Sequence, residues 1–299
     1  MSKRLVSRVF AVRVLAVVGL AVVAPACGSD GAQQSSPASD SALPPVATGD
    51  PAVGGYTHPT GSEVVVISYA ELGGFTTRAF TFQQTPAVLV SGDGQVFSPG
   101  AQIEIYPGPL LPAVQVQTIT ETGIQNLLAA ADDAGLLADI DYTIDSNVAD
   151  ASTATVTISA NGETWTHEAY ALGFAGPDGV EPTPERQALL AFVTQLTELS
   201  KLAGAENLGE TALFEPTEYA IEATPVDDLS AYGADGIEPV VEEWPADVSI
   251  RLTDATTCVT LPASEIGELL AAANQLTFFT DADVIHEVVA RPVLPGSTC

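Results

Sequence analysis

Residues 155–172 read TVTISANGETWTHEAYAL. Apolar residues alternate with hydroxyl or charged residues on each side of Asn161-Gly162, which indicates two strands with one buried and one solvated face. Asn-Gly is favoured in two-residue hairpin turns because both positions there require positive φ. The stretch therefore predicts an antiparallel hairpin, with strands over 155–159 and 163–172.

A second hairpin is predicted upstream, where the apolar runs 87–90 and 95–97 flank Ser91-Gly92-Asp93-Gly94. Asp-Gly between two apolar runs is a strong hairpin signal, and we expect positive φ at both turn residues. A β-branched run at 64–67 and a Phe- and Thr-rich run at 74–83 predict further strands. Together these segments indicate an antiparallel sheet.

Three amphipathic helices are also predicted. The first spans 121–134, with Thr120 as its N-cap, and the second begins at Thr183-Pro184. The third spans 262–275. Each carries apolar residues at spacings of three and four, which we expect to pack in a core. These residues are Ile124, Leu127, Leu128 and Ala131, then Leu189, Phe192, Val193, Leu196 and Leu199, then Ile266, Leu269, Leu270 and Ala273.

The order of these elements predicts an α+β fold, with antiparallel sheets and helices packed on one face. Residues 123–141 and 265–283 match at eight of nineteen positions, which suggests two related strand–helix modules, although Ala-rich helices also resemble one another by chance. We place the modules at 61–205 and 206–299. After its helix the first has the Asn-Gly hairpin, whereas the second shows one strand near 284–293.

The chain is strongly acidic, with 38 Asp and Glu residues against nine Lys and Arg residues. Four of the basic residues precede residue 27, so the remainder carries a net charge of −33. A surface of this sign repels nucleic-acid phosphates and anionic lipid headgroups. Nucleic acid is therefore not expected as a partner, and the charge is typical of a protein that stays soluble outside the cytoplasm.

The N-terminus has the pattern of an export signal over residues 1–26. Four basic residues lie within 1–13, and the apolar run 14–24 is too short for a membrane-spanning helix but fits a signal-peptide core. The run ends in Ala24-Pro25-Ala26-Cys27, where small residues suit a cleavage pocket. Ordinary secretory cleavage after Ala26 is one interpretation of this pattern.

A cysteine directly after a small residue, following such a core, resembles the lipobox of bacterial lipoproteins. The resemblance implies that the Cys27 sulfur receives a diacylglycerol and that the chain is cut before Cys27, with the new N-terminus often acylated. The position three before the cysteine is usually Leu and is Ala24 here. The resemblance implies a lipid-anchored protein on the extracytoplasmic face of the cell membrane.

Residues 27–60 form a disordered tether in this interpretation. They are mainly Gly, Ser, Pro, Ala, Asp and Gln, a composition that cannot bury enough apolar surface to fold. A flexible coil of this length reaches on the order of 30 Å, which suits a spacer between a membrane and a folded domain. His58 lies in this segment, and the sequence gives it no role.

Cys258 and Cys299 remain once Cys27 carries lipid. Export places both in an oxidising compartment, so we expect a disulfide that joins the C-terminus to the last module. Two buried thiols are the alternative.

The sequence predicts no catalytic residue and no cofactor. It lacks the G-x-S-x-G, P-loop, G-x-G-x-x-G, H-E-x-x-H and C-x-x-C patterns. His167-Glu168 and His286-Glu287 lie on predicted strands, where neighbouring side chains point to opposite faces. The two histidines can therefore act together only if they meet across one sheet, and ordinary strand positions are the alternative.

Asp139, Asp141 and Asp145 are weak candidates for a metal site. Clustered carboxylates can supply the six to eight oxygen ligands that Ca²⁺ prefers. Their spacing departs from the EF-hand pattern, so a solvated acidic surface is the alternative.

The segment 84–137 resembles uncharacterised lipoproteins of high-GC Gram-positive (actinobacterial) bacteria. The most recognisable pieces are the run YPGPLLP at 106–112 and, near the end of the chain, the run RPVLP at 291–295. The resemblance implies a cell-envelope setting and brings no functional residues. Together with the export signal and the missing motifs, it predicts an extracytoplasmic interaction or ligand-binding module, whose partner is another envelope protein or a small ligand. The alternative is a carboxylate-dependent envelope enzyme such as a glycan hydrolase, which needs two carboxyl groups roughly 5–10 Å apart.

Overall fold

The Asn-Gly hairpin forms as predicted. Its strands are β5 (Ser152–Ala160) and β6 (Glu163–Tyr170), which pair in antiparallel register from Thr153 opposite Tyr170 to Ala160 opposite Glu163. Asn161 and Gly162 have φ of 55° and 79°, as the two-residue turn requires. This geometry comes from a computed structural model, which describes residues 55–144, 148–174, 183–233, 236–297 and 299.

The hairpin belongs to a sheet of seven antiparallel strands in the order β6-β5-β1-β2-β3-β4-β7. The five further strands are β1 (Val65–Gly73), β2 (Val88–Ser91), β3 (Gln95–Pro99), β4 (Val114–Thr118) and β7 (Ala212–Leu213). The 74–83 run, expected as a strand, instead contains helix α1 (Arg78–Gln83), because the Thr77 side chain caps it by accepting from the Phe80 amide at 3.2 Å.

The turn between β2 and β3 differs from the prediction. Among its residues only Gly94 has positive φ, at 79°, and its amide donates to the Ser91 carbonyl at 3.1 Å. The Ser91 hydroxyl also accepts from the Gln95 amide at 3.1 Å. The loop therefore has three residues and places its glycine in the left-handed position, which is the next most common hairpin geometry.

Helices α2 (Glu121–Asp133) and α3 (Pro184–Thr197) pack on one face of this sheet. Thr120 and Thr183 cap them, each accepting from the amide three residues later. The predicted apolar stripes of both helices are buried, and replacing Leu127 by Ala would cost about 2–5 kcal/mol. After α3 the chain continues as a π-helical turn, Ser200–Gly204.

A second sheet has five strands in the order β10-β8-β12-β11-β9. Its pairs are antiparallel except β9 with β11. Helix α4 (Ala263–Ala272) packs on one face through Ile266 and Leu270. The strands are β8 (Glu218–Pro225), β9 (Val240–Glu243), β10 (Val259–Pro262), β11 (Thr277–Asp281) and β12 (Val284–Pro292). The molecule is thus α+β, as predicted.

The prediction of one strand after α4 is wrong, because β11 and β12 form a hairpin there. Its turn residues, Ala282 and Asp283, have φ of 50° and 66° without a glycine, so the usual turn signal is missing from the sequence. Both α2 and α4 are therefore followed by a hairpin. The two hairpins join the rest of their sheets through different strands. In the first hairpin the leading strand, β5, pairs with β1, whereas in the second the trailing strand, β12, pairs with β8.

The two sheets belong to one compact unit, Pro45–Cys299. Residues 206–213, expected in the second module, include strand β7 of the first sheet. Conversely, α1, which lies between two strands of the first sheet in sequence, contacts the second sheet. Arg78 of α1 forms an ion pair with Glu222 of β8 and donates to Thr224 at 2.8 Å. The change from one sheet to the other therefore falls after Leu213 rather than at residue 205.

The first sheet has two distinct ends, which we call the turn end and the loop end. The turn end holds the hairpin turns at 91–94 and 161–162 and the start of α2, which follows β4 directly. The loop end holds the connections 74–87 and 100–113, together with residues 171–174 after β6.

Candidate functional site

One face of β1, β5 and β6 points away from α2 and α3 and carries hydroxyl groups. Side chains alternate along a strand, so the residues between the core positions of β5 and β6 share this face. Cross-strand pairing sets Thr157 opposite Thr166 and Ser159 opposite Thr164, about 5 Å apart. We call this surface the hydroxyl face, and it consists of Thr153, Thr155, Thr157, Ser159, Thr164 and Thr166.

A cavity of about 640 Å³ opens at the turn end of the hydroxyl face. Its lining combines three hydroxyl groups of β5 and β6 with apolar residues at the start of β1. The lining residues are Thr57, His58, Pro59, Val64, Val65, Thr157, Ser159, Ala160, Gly162, Glu163, Thr164 and Gly296.

One wall of this cavity is formed by residues 55–59, which we call the entry segment. These residues were expected in the tether, but the structure holds them against the fold. The Tyr56 hydroxyl donates to Asp132 at 2.7 Å, and this hydrogen bond raises the pKa of Tyr56. Thr57 and Asn161 form two hydrogen bonds. The Thr57 backbone amide donates to the Asn161 side-chain oxygen at 3.1 Å, and the Asn161 backbone amide donates to the Thr57 carbonyl at 2.7 Å.

His58 completes the attachment of the entry segment. Its side chain is 7% exposed, and its Nε2 lies 3.0 Å from a Glu121 carboxylate oxygen while its Nδ1 lies 2.9 Å from the Pro59 carbonyl. Glu121 is the first residue of α2, where a carboxylate is also favoured by the helix dipole. The imidazole is therefore committed to structural contacts on both nitrogens.

The C-terminal tail forms the opposite wall. The Gly296 amide donates to the Glu63 carbonyl at 3.1 Å, and a β-carbon at Gly296 would lie 2.7 Å from a Val65 methyl group. This close approach, together with a φ of 69°, requires glycine at the position. The tail thus runs beside the first strand of the first sheet.

The polar groups inside the cavity suit a neutral or weakly charged ligand. The hydroxyl oxygens of Ser159 and Thr164 lie 3.0 Å apart, and each can donate or accept. Glu163 is the only carboxylate in the lining. The arrangement can form several hydrogen bonds, but it does not contain the carboxyl pair that glycoside hydrolysis requires.

A second cavity of about 460 Å³ lies toward the loop end, between β1, α1 and the C-terminus. Ala70 and Leu72 of β1 contribute to it, and the guanidinium carbon of Arg291 lies 5.4 Å from the centre of the Phe82 ring. Burial lowers the pKa of Arg291. The lining contains no Asp or Glu side chain.

No protein-family model, curated protein or solved structure matches this chain.

The predicted cysteine pair is present at the edge of the second cavity. Cys258 and Cys299 lie at disulfide-bonding distance, with their Cα atoms 5.0 Å apart. The pair connects the C-terminal residue to the start of β10. Cys27, the predicted lipidation site, lies outside the described residues, so lipidation stays a prediction.

The weak metal candidates are not brought together among the described residues, where no group of three or more potential ligands converges. Asp139 is exposed. The Thr143 side chain and the Thr143 backbone amide, which donates at 2.8 Å, both hydrogen-bond Asp141 and lower its pKa. Asp145 lies outside the described residues.

His167 and His286 lie in different sheets, on β6 and β12, so they do not meet across one sheet. His167 is buried, with Nε2 lying 2.9 Å from the Leu136 carbonyl. His286 is also buried, with Nδ1 lying 3.1 Å from the Val284 carbonyl. Each serves as a core residue of its own sheet.

Within the described part of the chain, no helix combines the length and the apolar character that crossing a bilayer requires.

Sequence patterns missed the entry segment and the cavity beside the hydroxyl face. The alternation Thr153, Thr155, Thr157 was visible and predicted a solvated face, but nothing in it indicated that a neighbouring segment would close a cavity. Gln125, buried on α2, was the available signal for the entry segment, because a buried amide needs a partner.

Proposed function

We propose that this protein is a lipid-anchored, extracytoplasmic module that binds an envelope protein or a small ligand on its hydroxyl face. The lipobox-like segment ending at Cys27 supports the anchor. The cavity between the entry segment and the C-terminal tail supports the binding role, and it is the single observation that carries the proposal. Cell-membrane localisation and binding are both part of this proposal.

The residues around the cavity favour binding over hydrolysis. A glycan hydrolase needs two carboxyl groups flanking its substrate, and Glu163 is the only Asp or Glu side chain that lines either cavity. Hydroxyl groups on a sheet, by contrast, can form hydrogen bonds in both directions without a change of protonation. The alternative of a carboxylate-dependent enzyme has no support from these cavities.

A site-specific crosslinking experiment in intact native cells tests the binding role. A photoreactive amino acid replaces Thr166, an exposed residue of the hydroxyl face, and in a matched control it replaces Gln195, which is exposed on α3. We expect a defined adduct from position 166 alone, either a protein or a ligand that adds a discrete mass. Equal labelling at both positions, or none at either, would contradict the proposed face.

The anchor is tested separately. Membrane-extracted protein should carry the mass of a diacylglycerol on Cys27, and a Cys27→Ala variant should be released from the membrane fraction. An unmodified N-terminus after Ala26 would instead show ordinary secretion.

A further inference from the structure

The loop end of the first sheet exposes an unusual number of large apolar side chains. Phe75 is 91% exposed and Ile103 is 70% exposed, and the other members of the group are at least two-fifths exposed. Scattered apolar residues are normal on a surface, but a contiguous group indicates an interaction site. We call this group the apolar end, and it consists of Leu72, Phe75, Phe80, Ile103, Ile105, Tyr106 and Phe174.

Strand pairing places the connections that carry these residues at one end of the sheet. Gly73 pairs with Ser152, whose carbonyl accepts from Ala171, so the segments after β1 and β6 leave side by side. Pro99 of β3, which pairs with Val114, is level with Ala70 of β1 by the register of the intervening strand, and the chain leaves β3 there in the same direction. The connections after β6, β1 and β3 therefore span four strand spacings, about 19 Å.

The entry segment leads toward this end. His58 lies at Glu121, the start of α2 at the turn end, whereas Tyr56 lies one helical turn further along, at Gln125, and its hydroxyl reaches Asp132. Followed backward from His58, the chain thus runs along α2 toward the loop end. The 27 residues between Cys27 and Gly55 are a length of chain sufficient to span on the order of 30 Å.

From these two observations we propose that the apolar end rests on the lipid bilayer, with its aromatic and aliphatic side chains in the interfacial region. The membrane is favoured over a soluble partner because the anchored chain already leads to this end, which gives the bilayer a high effective concentration there. This part of the argument rests on the proposed lipid anchor. The cavity at the turn end then faces away from the membrane.

The charges at this end specify the kind of lipid surface. Glu104 lies between Ile103 and Ile105, and Asp150 lies beside Gly74. The basic residues near this end are engaged within the protein: Arg78 is paired with Glu222, Arg186 is buried and donates to the Tyr170 carbonyl at 2.6 Å, and Arg291 lies over the Phe82 ring. Contact with an uncharged or zwitterionic surface is therefore favoured over contact with an anionic one, which these carboxylates repel.

Vesicle partitioning of the unlipidated chain tests the proposal directly. The mature chain with Cys27→Ala is mixed with phosphatidylcholine vesicles, and bound protein is measured by co-sedimentation. We expect the combined substitutions Phe75→Ser, Ile103→Ser and Ile105→Ser to lower the partition coefficient at least tenfold. The matched control, Val240→Ser with Val241→Ser, removes exposed apolar residues on β9 and should change it less than twofold.

Replacing a third of the phosphatidylcholine by phosphatidylglycerol should weaken binding at low salt. Thermal unfolding verifies that each variant remains folded. The proposal is overturned if the parent chain does not bind neutral vesicles, or if the triple variant binds as well as the parent. It is equally overturned if the substitutions abolish self-association in sedimentation velocity while leaving vesicle binding unchanged. Absence of lipid on Cys27 would refute only the anchor, because these vesicle measurements do not depend on it.

Discussion

Gln125 and the backbone of Tyr56 form a reciprocal pair of hydrogen bonds. The Tyr56 amide donates to the Gln125 side-chain oxygen at 3.2 Å, and the Gln125 side-chain nitrogen donates to the Tyr56 carbonyl at 2.8 Å. Gln125 also donates to Glu121 at 2.8 Å and is only 5% exposed. The Gln125 side chain thus satisfies both backbone groups of Tyr56, as a neighbouring strand would, and holds one wall of the cavity in place.

Replacing Gln125 by Leu should release the entry segment. The substitution removes both hydrogen bonds to Tyr56, and we expect the free energy of unfolding to fall by about 1–3 kcal/mol. Hydrogen exchange at residues 56–58 should accelerate, because these amides lose their protection once the segment detaches. Urea denaturation and exchange mass spectrometry measure the two effects.

The matched control for this variant is Gln195→Leu, at an exposed position of α3, which should change stability by no more than about 0.5 kcal/mol. Unchanged exchange at residues 56–58 in Gln125→Leu would show that the other contacts suffice to hold the segment.

Asp281 should be the most sensitive charged residue of the second sheet. It is buried at the end of β11, where its carboxylate accepts from the Leu252 amide at 2.8 Å and forms an ion pair with Arg251. Asp281→Ala leaves that buried amide unsatisfied, so we expect a loss of about 2–4 kcal/mol in urea denaturation. Arg251→Ala should cost about 1 kcal/mol or less, because the guanidinium is half exposed. Equal costs would contradict this account.

Tyr142 should lower the stability of the folded protein at alkaline pH. Its hydroxyl is buried and has no hydrogen-bond partner among the described residues, and burial, aided by Glu185, raises its pKa to about 12. The folded state therefore keeps a proton that the unfolded chain loses near pH 10. Stability should fall as the pH rises from about 10 to 12, with the unfolded state losing its proton first.

Tyr142→Phe should reduce this alkaline loss while leaving stability near neutral pH unchanged or slightly higher, since no hydrogen bond is removed. Urea denaturation at several pH values gives the slope, and Tyr106→Phe, at an exposed ring, is the control. A clear loss of stability at pH 7 would show that the Tyr142 hydroxyl has a partner after all.

Cys258 and Cys299 should be covalently joined in protein isolated from the envelope. Reduction is expected to add the mass of two hydrogens. Because the bond would close a loop over a sequence separation of 41 residues, the double variant Cys258→Ser, Cys299→Ser should lose about 3–4 kcal/mol, or about 10 °C in Tm. An unchanged mass on reduction would show two thiols instead.

Local sequence signals predicted several elements closely. The Asn161-Gly162 turn, the Thr120 cap and the apolar stripe of α2 are each determined by residues a few positions apart, so they could be recognised without tertiary context. The β11–β12 hairpin could not, because Ala282 and Asp283 adopt positive φ without the glycine that normally signals it. Its turn is imposed by the pairing of the two strands.

The candidate site was less predictable than the fold. Thr157 and Thr166 could be assigned to a solvated face from their alternation alone. The cavity beside them depends on Pro59 and Gly296, which lie more than two hundred residues apart in sequence and line the same cavity only in the folded protein. Composition placed Pro59 in a tether, because the composition of a segment does not show which distant residues will contact it in the folded protein.

The sequence by itself determined the acidic character, the export pattern before Cys27, the α+β class and most turns and caps, because these follow from composition or from neighbouring residues. Only the tertiary structure decided that Tyr56 pairs with Gln125, that residues 206–213 include a strand of the first sheet, and that the apolar residues gather at one end. Each of these depends on strand order and on contacts between distant segments. Such contacts are selected by the free energy of the whole fold rather than by any local pattern.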